Sequence, residues 1–543
     1  MSWNVSSGSP EVLIAVIDSG IQWRSEKMAD LIQNTHVNRG ELPVPQPSGA
    51  EADPYDSNGD GRLNATDYAG DPRVGDRNDS GLIDPEDLIL AFSDGTDGDG
   101  NGYVDDISGW DFLNGDNNPL DDVDYGHGTG EPRDSTAAHD GEGAAGTCPA
   151  CSHLPVRVGD SFIAQGGRFA ASVLFALDSG ADVIQEALGA ISNPPQAQQA
   201  IDAAYRRGVP VVASMADEQS QHANLPGMLE HTIPVNLAHP GTRATFEVEL
   251  AVLTGRRDAL ALNGCTNTGA IAWVSVPSNR CSSEATGNSA GMVALMEAAA
   301  REGGITPHPD LVALGLGGPG SNVLSANEAA QILRASADDV DFSTPSTVDP
   351  ANEDTDDFRV DRFPTVKGWD STTGYGRINA YEAALAASEG EIPPEADITS
   401  PEWFSLNPTS GAMAVQGRVA AVRSSSYDYR VEWTVGLQTG PHPATDTWHR
   451  AGGANGLNAP VEGHSPRSTS QRWRQSCPGA GPARRPAPRT AGSRPLHGAH
   501  PRGRDRRRGQ GRNATPPRDG PRRPRWGVVS APARARYRLA RLR

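Results

Sequence analysis

Val12-Leu13-Ile14-Ala15-Val16-Ile17 is an unbroken apolar run, stopped by Asp18-Ser19-Gly20. A strand that alternated between core and water would place a polar residue at every second position. This one does not, so both of its faces are expected to be covered, as in a parallel sheet. Residues 154–158, 181–188 and 209–216 read the same way. Between and after them the apolar spacing turns helical, over 167–178, 194–207, 289–301 and 326–335. Strands alternating with helices of this length predict an α/β fold, with a parallel sheet carrying helices on both faces.

That pattern does not fill the 543 residues, which leave room for two to four domains. The chain is 36% hydrophobic and 21% charged, and no apolar run reaches the length of a membrane-spanning helix. Met1 is not followed by a basic and then an apolar segment, so no secretory signal is read in this frame. The net charge of −21 averages two unlike pieces. Residues 465–543 hold 22 Arg, no Lys and two acids, whereas the remainder carries a net −41. This excludes a uniformly acidic enzyme, and equally a single globular domain running end to end. The expected organisation is a catalytic domain over 1–390, a linker over 391–402, a partial β-rich segment over 403–460 and a disordered tail over 461–543. Tyr427, Tyr429, Val431 and Trp433 alternate as a β-strand does, and a second sheet is not expected to be completed. The tail has almost nothing apolar to bury. Arg without Lys reads as a GC-rich gene translated out of frame; a neutral tail and a polyanion-binding arm are the other readings.

The chemistry lies in three short motifs. Asp18 ends the first strand in Ile-Asp-Ser-Gly, His127 stands in Tyr-Gly-His-Gly-Thr-Gly, and Ser289 stands in Ala-Thr-Gly-Asn-Ser-Ala-Gly-Met before an Ala-rich helical run. Gly-x-Ser-x-Gly also marks the α/β-hydrolases, but there the acid and the histidine follow the serine. Here they precede it, and the order Asp, His, Ser is that of subtilisin. Over roughly residues 10–390 the sequence resembles the subtilisin-like serine proteases, or subtilases. The resemblance rests on Val-Ile-Asp-Ser-Gly, Gly-His-Gly-Thr-Gly, Val183-Ile184-Gln185-Glu186-Ala187-Leu188-Gly189, the Gly-Asn-Ser-Ala motif and Gly374-Tyr375-Gly376-Arg377-Ile378-Asn379-Ala380. It implies a subtilisin-like sheet and peptide-bond hydrolysis through an acyl-enzyme. Ser289 would be the nucleophile, His127 the base and Asp18 the group that orients it. Ala187, Leu188 and Gly189 would line the substrate cleft, where an extended peptide pairs as an added strand. The family places an oxyanion-hole Asn after a strand end that here reads Val211-Val212-Ala213-Ser214-Met215-Ala216-Asp217. Asp217 takes that place, with Asn224 as the alternative, and a carboxyl donates a hydrogen bond only when protonated.

Residues 51–124 hold 19 Asp, two Glu and three Arg, a net −18. Within them Asp56, Asn58, Asp60, Arg62, Asn64 and Asp67 fall at ligand positions of a twelve-residue calcium loop with Gly61 at its sixth position. Twenty residues later Asp76, Asn78, Ser80, Leu82, Asp84 and Asp87 repeat the spacing. A third stretch offers Asp97, Asp99, Asn101, Tyr103 and Asp106, but no acid at position twelve. Two to three structural Ca2+ ions are expected, since cations would neutralise an insertion that otherwise repels itself. Among five cysteines, Cys148-Pro149-Ala150-Cys151 forms one pair and Cys265 with Cys281 a wider one. Disulfides suit an exported protease; a four-Cys zinc site and inert thiols are the other readings.

The function expected is a serine endopeptidase acting on proteins or peptides. It would be a monomer without a membrane span or nucleic-acid partner, secreted or held in the cell envelope. Met1 lies 17 residues before Asp18, so an internal start on a longer gene is expected. A catalytically inactive binding module and a calcium-dependent adhesion or docking protein are the alternatives.

Overall fold

The computed structural model describes residues 2–25, 28–141, 143–218, 220, 224–239, 261–262, 266–278, 280–340, 367–401, 415–435, 449–464 and 524–526. In chain order the first unit runs β1 (Leu13–Asp18), α1 (Ala29–Ile32), α2 (Pro85–Phe92), β2 (Trp110–Asp111), α3 (His127–Thr136), β3 (Ser152–Arg157) and β4 (Ile163–Ala164). It continues with α4 (Gly166–Asp178), β5 (Val183–Glu186), β6 (Gly189–Ala190), α5 (Pro195–Arg206), β7 (Val211–Ser214), β8 (Thr232–His239), β9 (Ala261–Leu262) and β10 (Val274–Pro277). Last come α6 (Ser282–Glu302), α7 (Pro309–Ala313), α8 (Ala326–Ser336) and α9 (Ala380–Glu389).

Seven strands form a parallel sheet in the order β10-β8-β7-β5-β1-β3-β2, with β9 antiparallel against β8. The expected α/β architecture is therefore present. Every residue of β1 is buried, as the unbroken apolar run requires. One face of the sheet packs Val12, Ile14 and Val16 against α6, α8 and α9. The other packs Leu13, Ala15 and Ile17 against α4 and α5. The 21-residue α6 is buried along most of its length, which suits its Ala-rich, all-round small surface.

Residues 51–124 are more ordered than their weak periodicity suggests. Tyr68, Leu88, Ile89 and Ile107 join Trp23, Met28 and Leu31 in a third apolar core. Past Gly390, which ends α9 in the left-handed conformation at φ 70°, the expected linker contains a strand, β11 (Glu395–Ser400). The strands β12 (Gln416–Ala420), β13 (Tyr427–Val435), β14 (His449–Leu457), β15 (Val461–His464) and β16 (Pro524–Trp526) follow. They pair as two three-stranded antiparallel sheets, β11-β12-β15 and β14-β13-β16. A second sheet is thus present where the sequence led us to expect none. Two of its partners lie beyond the alternating stretch: β14 is Gly-rich, and β16 comes from three residues of the Arg-rich tail. Val419 and Tyr427 centre a small core shared with Ile398, Tyr429, Leu457 and Val461. The rest of the tail, from residue 465 on, lies outside the described residues, as does Cys265.

Candidate active site

Asp18 is the last residue of β1, and His127 opens α3. His127 Nδ1 lies 2.8 Å from Asp18 Oδ1, which also accepts the Ser19 amide at 2.7 Å. Two glycines make this approach possible. Gly126 caps α3 at φ 80°, a conformation costly for other residues, and Asp121 accepts the amides of Tyr125 and Gly126 to hold the turn. A Cβ on Gly128 would stand 2.4 Å from the Gly20 carbonyl oxygen, so only glycine lets α3 come this close to the end of β1.

The serine that meets His127 is Ser283. Its Oγ lies 2.8 Å from His127 Nε2, in the first turn of α6. This corrects the sequence reading. The helix starts seven residues earlier than the apolar spacing from 289 suggested, so Ser289 is an interior helical residue. It is fully buried, and its hydroxyl donates to the Ala285 carbonyl at 2.7 Å. One signal in the sequence could have shown this. Ala285, Ser289, Met292 and Met296 recur at helical spacing, which marks the stripe that faces the core.

Burial draws the His127 pKa down, but the Asp18 charge and hydrogen bond, with Asp217 and Asp134 behind, leave it above the usual value. Asp217 does lie beside the serine turn: the Ser282 amide donates to its Oδ1 at 2.8 Å. Burial raises the Asp217 pKa. Ala216, just before it, is held at φ 64°, a strained conformation for a residue with a side chain and one that recurs at functional loops. Asn224, the alternative, lies against Gly189, where an added Cβ would meet its amide nitrogen at 2.9 Å. Ala187, Leu188 and Gly189 follow β5 and are buried; β6 pairs in parallel with β4. Tyr125 and Phe162, both exposed, cluster with the His127 ring, their centroids 6.0 and 5.7 Å from it and 6.1 Å from each other.

Glu131 was not singled out from the sequence. It stands one turn after His127, so both side chains share a face of α3, and its Oε1 is 3.9 Å from His127 Nε2. Gln185 donates to its other oxygen at 2.9 Å. Burial, then the Asp18 charge, raises its pKa well above the carboxylate range. Asp134, one turn further, is pushed to about 7 by burial and by Glu284.

The three acidic loops share one geometry. Asp56 accepts the amides of Gly59, Asp60 and Gly61; Asp76 those of Ser80 and Gly81; Asp97 those of Gly100, Asn101 and Gly102. The twelfth positions close the first two loops: Asp67 accepts from Ser57 and Asn64, and Asp87 from Arg77 and Asp84. Asn64 and Asp84 cap the short helices that follow. Asn58 donates to Asp60, and Asn78 and Ser80 both donate to Asp84, so the expected ligands converge in each loop. The position-seven side chains point outward as anchors: Arg62 reaches Asn34 and the Ala150 carbonyl, Leu82 joins the third core, and Tyr103 packs edge-on to Trp110 and Phe175. The third loop lacks an acid at position twelve, and Glu41 supplies one from another part of the chain. Carboxylate oxygens of Glu41, Asp99 and Asp106 come within 4.8 Å of one another. Asn38 donates to both Asp99 and Asp106, and Asn101 to Asp106. Hard oxygen donors clustered this way suit Ca2+.

Cys148 and Cys151 form a disulfide, and Cys281 is also disulfide-bonded, which removes the four-Cys zinc reading. Among the described residues no helix is long and apolar enough to cross a membrane.

The model of the subtilase family matches residues 9–376. Thermitase from Thermoactinomyces vulgaris is 33% identical over 133 residues, which span 24% of this chain and 46% of thermitase. Among solved structures, sphericase aligns at a TM-score of 0.41 with 15% identity, covering 68% of this chain and 92% of its own. Fervidolysin from Fervidobacterium pennivorans, a keratinolytic enzyme related to subtilisin, aligns at 0.40 with 14% identity, covering 85% and 51%.

Proposed function

Because the chain belongs to the subtilase family, we propose that it is a serine endopeptidase that cleaves protein or peptide substrates through an acyl-enzyme on Ser283. The observation that carries this reading is the continuous line Asp18–His127–Ser283, each link 2.8 Å long. His127 Nε2 takes the Ser283 proton as Oγ attacks the scissile carbonyl. The imidazolium that forms is stabilised by Asp18 through Nδ1–H. His127 then returns the proton to the leaving amine, and a water repeats the sequence to release the acid. The oxyanion would sit at the N-terminal turn of α6, where the helix dipole favours negative charge. Asp217 lies beside this turn, its Oδ1 accepting the Ser282 amide, and would aid the oxyanion only in its protonated form, which its burial favours.

The acidic loops would hold structural Ca2+ through Asp56, Asn58, Asp60, Asn64 and Asp67, through Asp76, Asn78, Ser80, Asp84 and Asp87, and through Asp97, Asp99, Asn101, Asp106 and Glu41. When bound, the ions neutralise the insertion; no step of the hydrolysis runs through them. Export from the cell and a monomeric state complete the reading. The binding-module and adhesion alternatives are not favoured by the family match. A serine-directed phosphonate probe tests the proposal. It should label the wild type on the peptide containing Ser283, and mass-spectrometric mapping of the label to any other residue, or no label, would refute it.

A further inference from the structure

Arg157 ends β3 and is the register partner of Asp18 on the neighbouring strand. Only 1% of it is exposed. Its Nη1 lies 2.9 Å from Asp111, which is wholly buried, and that pair alone would neutralise it. Two more carboxylates nevertheless converge on Nη2, those of Asp122 and Asp160, whose side chains are 53% and 60% exposed. Neither needs a partner to be solvated. They come from different segments of the chain. Asp122 belongs to the turn that delivers His127, next to Asp121, which holds the Tyr125 and Gly126 amides. Asp160 begins the loop that leads to β4 and Phe162, and the Phe162 carbonyl accepts the Gly189 amide at 2.7 Å. One buried guanidinium therefore joins the His127 turn, the β4 loop and the strand beside Asp18. A planar fork with separate nitrogens can do this; a point charge cannot hold three partners in fixed directions.

We propose that Arg157 is a positioning residue for extended substrates: it fixes the spacing between the His127 turn and the β4 edge, and so sets how well a peptide lying between them is bound. This rests on the proteolytic reading above. The exposed carboxylates give variants that leave the buried Arg157–Asp111 pair intact. Asp122→Asn and Asp160→Asn each remove one charge-assisted bond, and each should raise KM for a hexapeptide substrate by about tenfold. kcat should change much less, because the Asp18–His127–Ser283 line is untouched. A single-residue ester, too short to span the two edges, should show a far smaller rise in KM. Arg157→Lys should combine both effects. KM unchanged in both Asn variants, or peptide and ester affected alike with kcat, would overturn the proposal. Hydrogen exchange supplies a readout that does not need turnover: amides of residues 119–126 and 160–164 should exchange faster in Arg157→Lys, both segments together. If the wild type hydrolyses neither substrate, the proteolytic reading fails while the exchange result still decides the tie; unaltered exchange in both segments overturns it.

Discussion

Ser283 and Ser289 lie on one helix six residues apart, and their hydroxyls do opposite things: one meets His127 Nε2, the other closes on the Ala285 carbonyl. At about 100° and 1.5 Å per residue they differ by roughly a third of a turn in direction and about 9 Å in height. No single histidine can serve both. Helix position, not the local Gly-x-Ser-x-Gly spelling, decides which serine meets the histidine.

Ser283→Ala should therefore abolish hydrolysis, by a factor on the order of 10⁶ in turnover, and His127→Ala should do as much. The double variant should cost little more than either alone. Ser289→Ala should keep turnover within a few-fold and melt within a few degrees of the wild type. Progress curves on one peptide substrate, with thermal melts alongside, settle both halves.

Asp217 makes the pH profile informative. As a neutral acid it donates towards the oxyanion; as a carboxylate it opposes the charge. Asp217→Asn should retain activity and extend it towards alkaline pH, where the wild type loses its donor. Asp217→Ala should fall by roughly 10²–10³ in turnover. If Asp217→Ala matches the wild type at every pH, the α6 amides fill the hole unaided.

Chelation should lower the melting temperature and open residues 51–124 to proteolysis, and added Ca2+ should restore both, because a ligand that binds only the folded state stabilises it. Glu41→Gln should weaken only the third site. Calcium titration by calorimetry should then lose one class of site and keep the rest.

His231 gives a second pH dependence, away from the active site. Its ring stacks on Tyr205 at 4.0 Å, with Nδ1 2.9 Å from Asp202 and Nε2 3.3 Å from Asp397 on β11. Burial alone would lower its pKa, but the two carboxylates raise it to about 9. The folded value lies above the unfolded one, so this stabilisation is complete below about 6.5 and is lost as pH rises through 9. Asp397→Asn should flatten that loss. Melting curves from pH 6 to 10 for the two proteins, superimposed after a constant offset, would contradict it.

The sheet was legible because β1 is buried along its whole length and carries that burial as an apolar run, and β7 begins with Val211, Val212 and Ala213. Asp18 and His127 were legible because glycines flank them for steric reasons that leave a mark in the sequence. Ser283 was not, since Cys-Ser-Ser-Glu has no periodicity of its own and the helix start is set by how α6 packs. Glu41 and Arg157 were hidden for another reason: each meets its partners from distant parts of the chain. β11 was read as linker because Glu395 and Asp397 look solvated, yet they face His308 and His231.

The two links of the Asp18–His127–Ser283 line span 109 and 156 residues of chain. Its parts stand on separate elements: a central strand, a loop-delivered helix end and a helix threaded through the core. A chain still emerging from the ribosome has the aspartate and the histidine long before it has the serine. Loop closure over such lengths is completed only when α6 seats against the sheet. The Asp18–His127–Ser283 line is thus completed late, as a property of the finished tertiary structure, and under the proposed function a partly folded molecule would not yet cleave its neighbours.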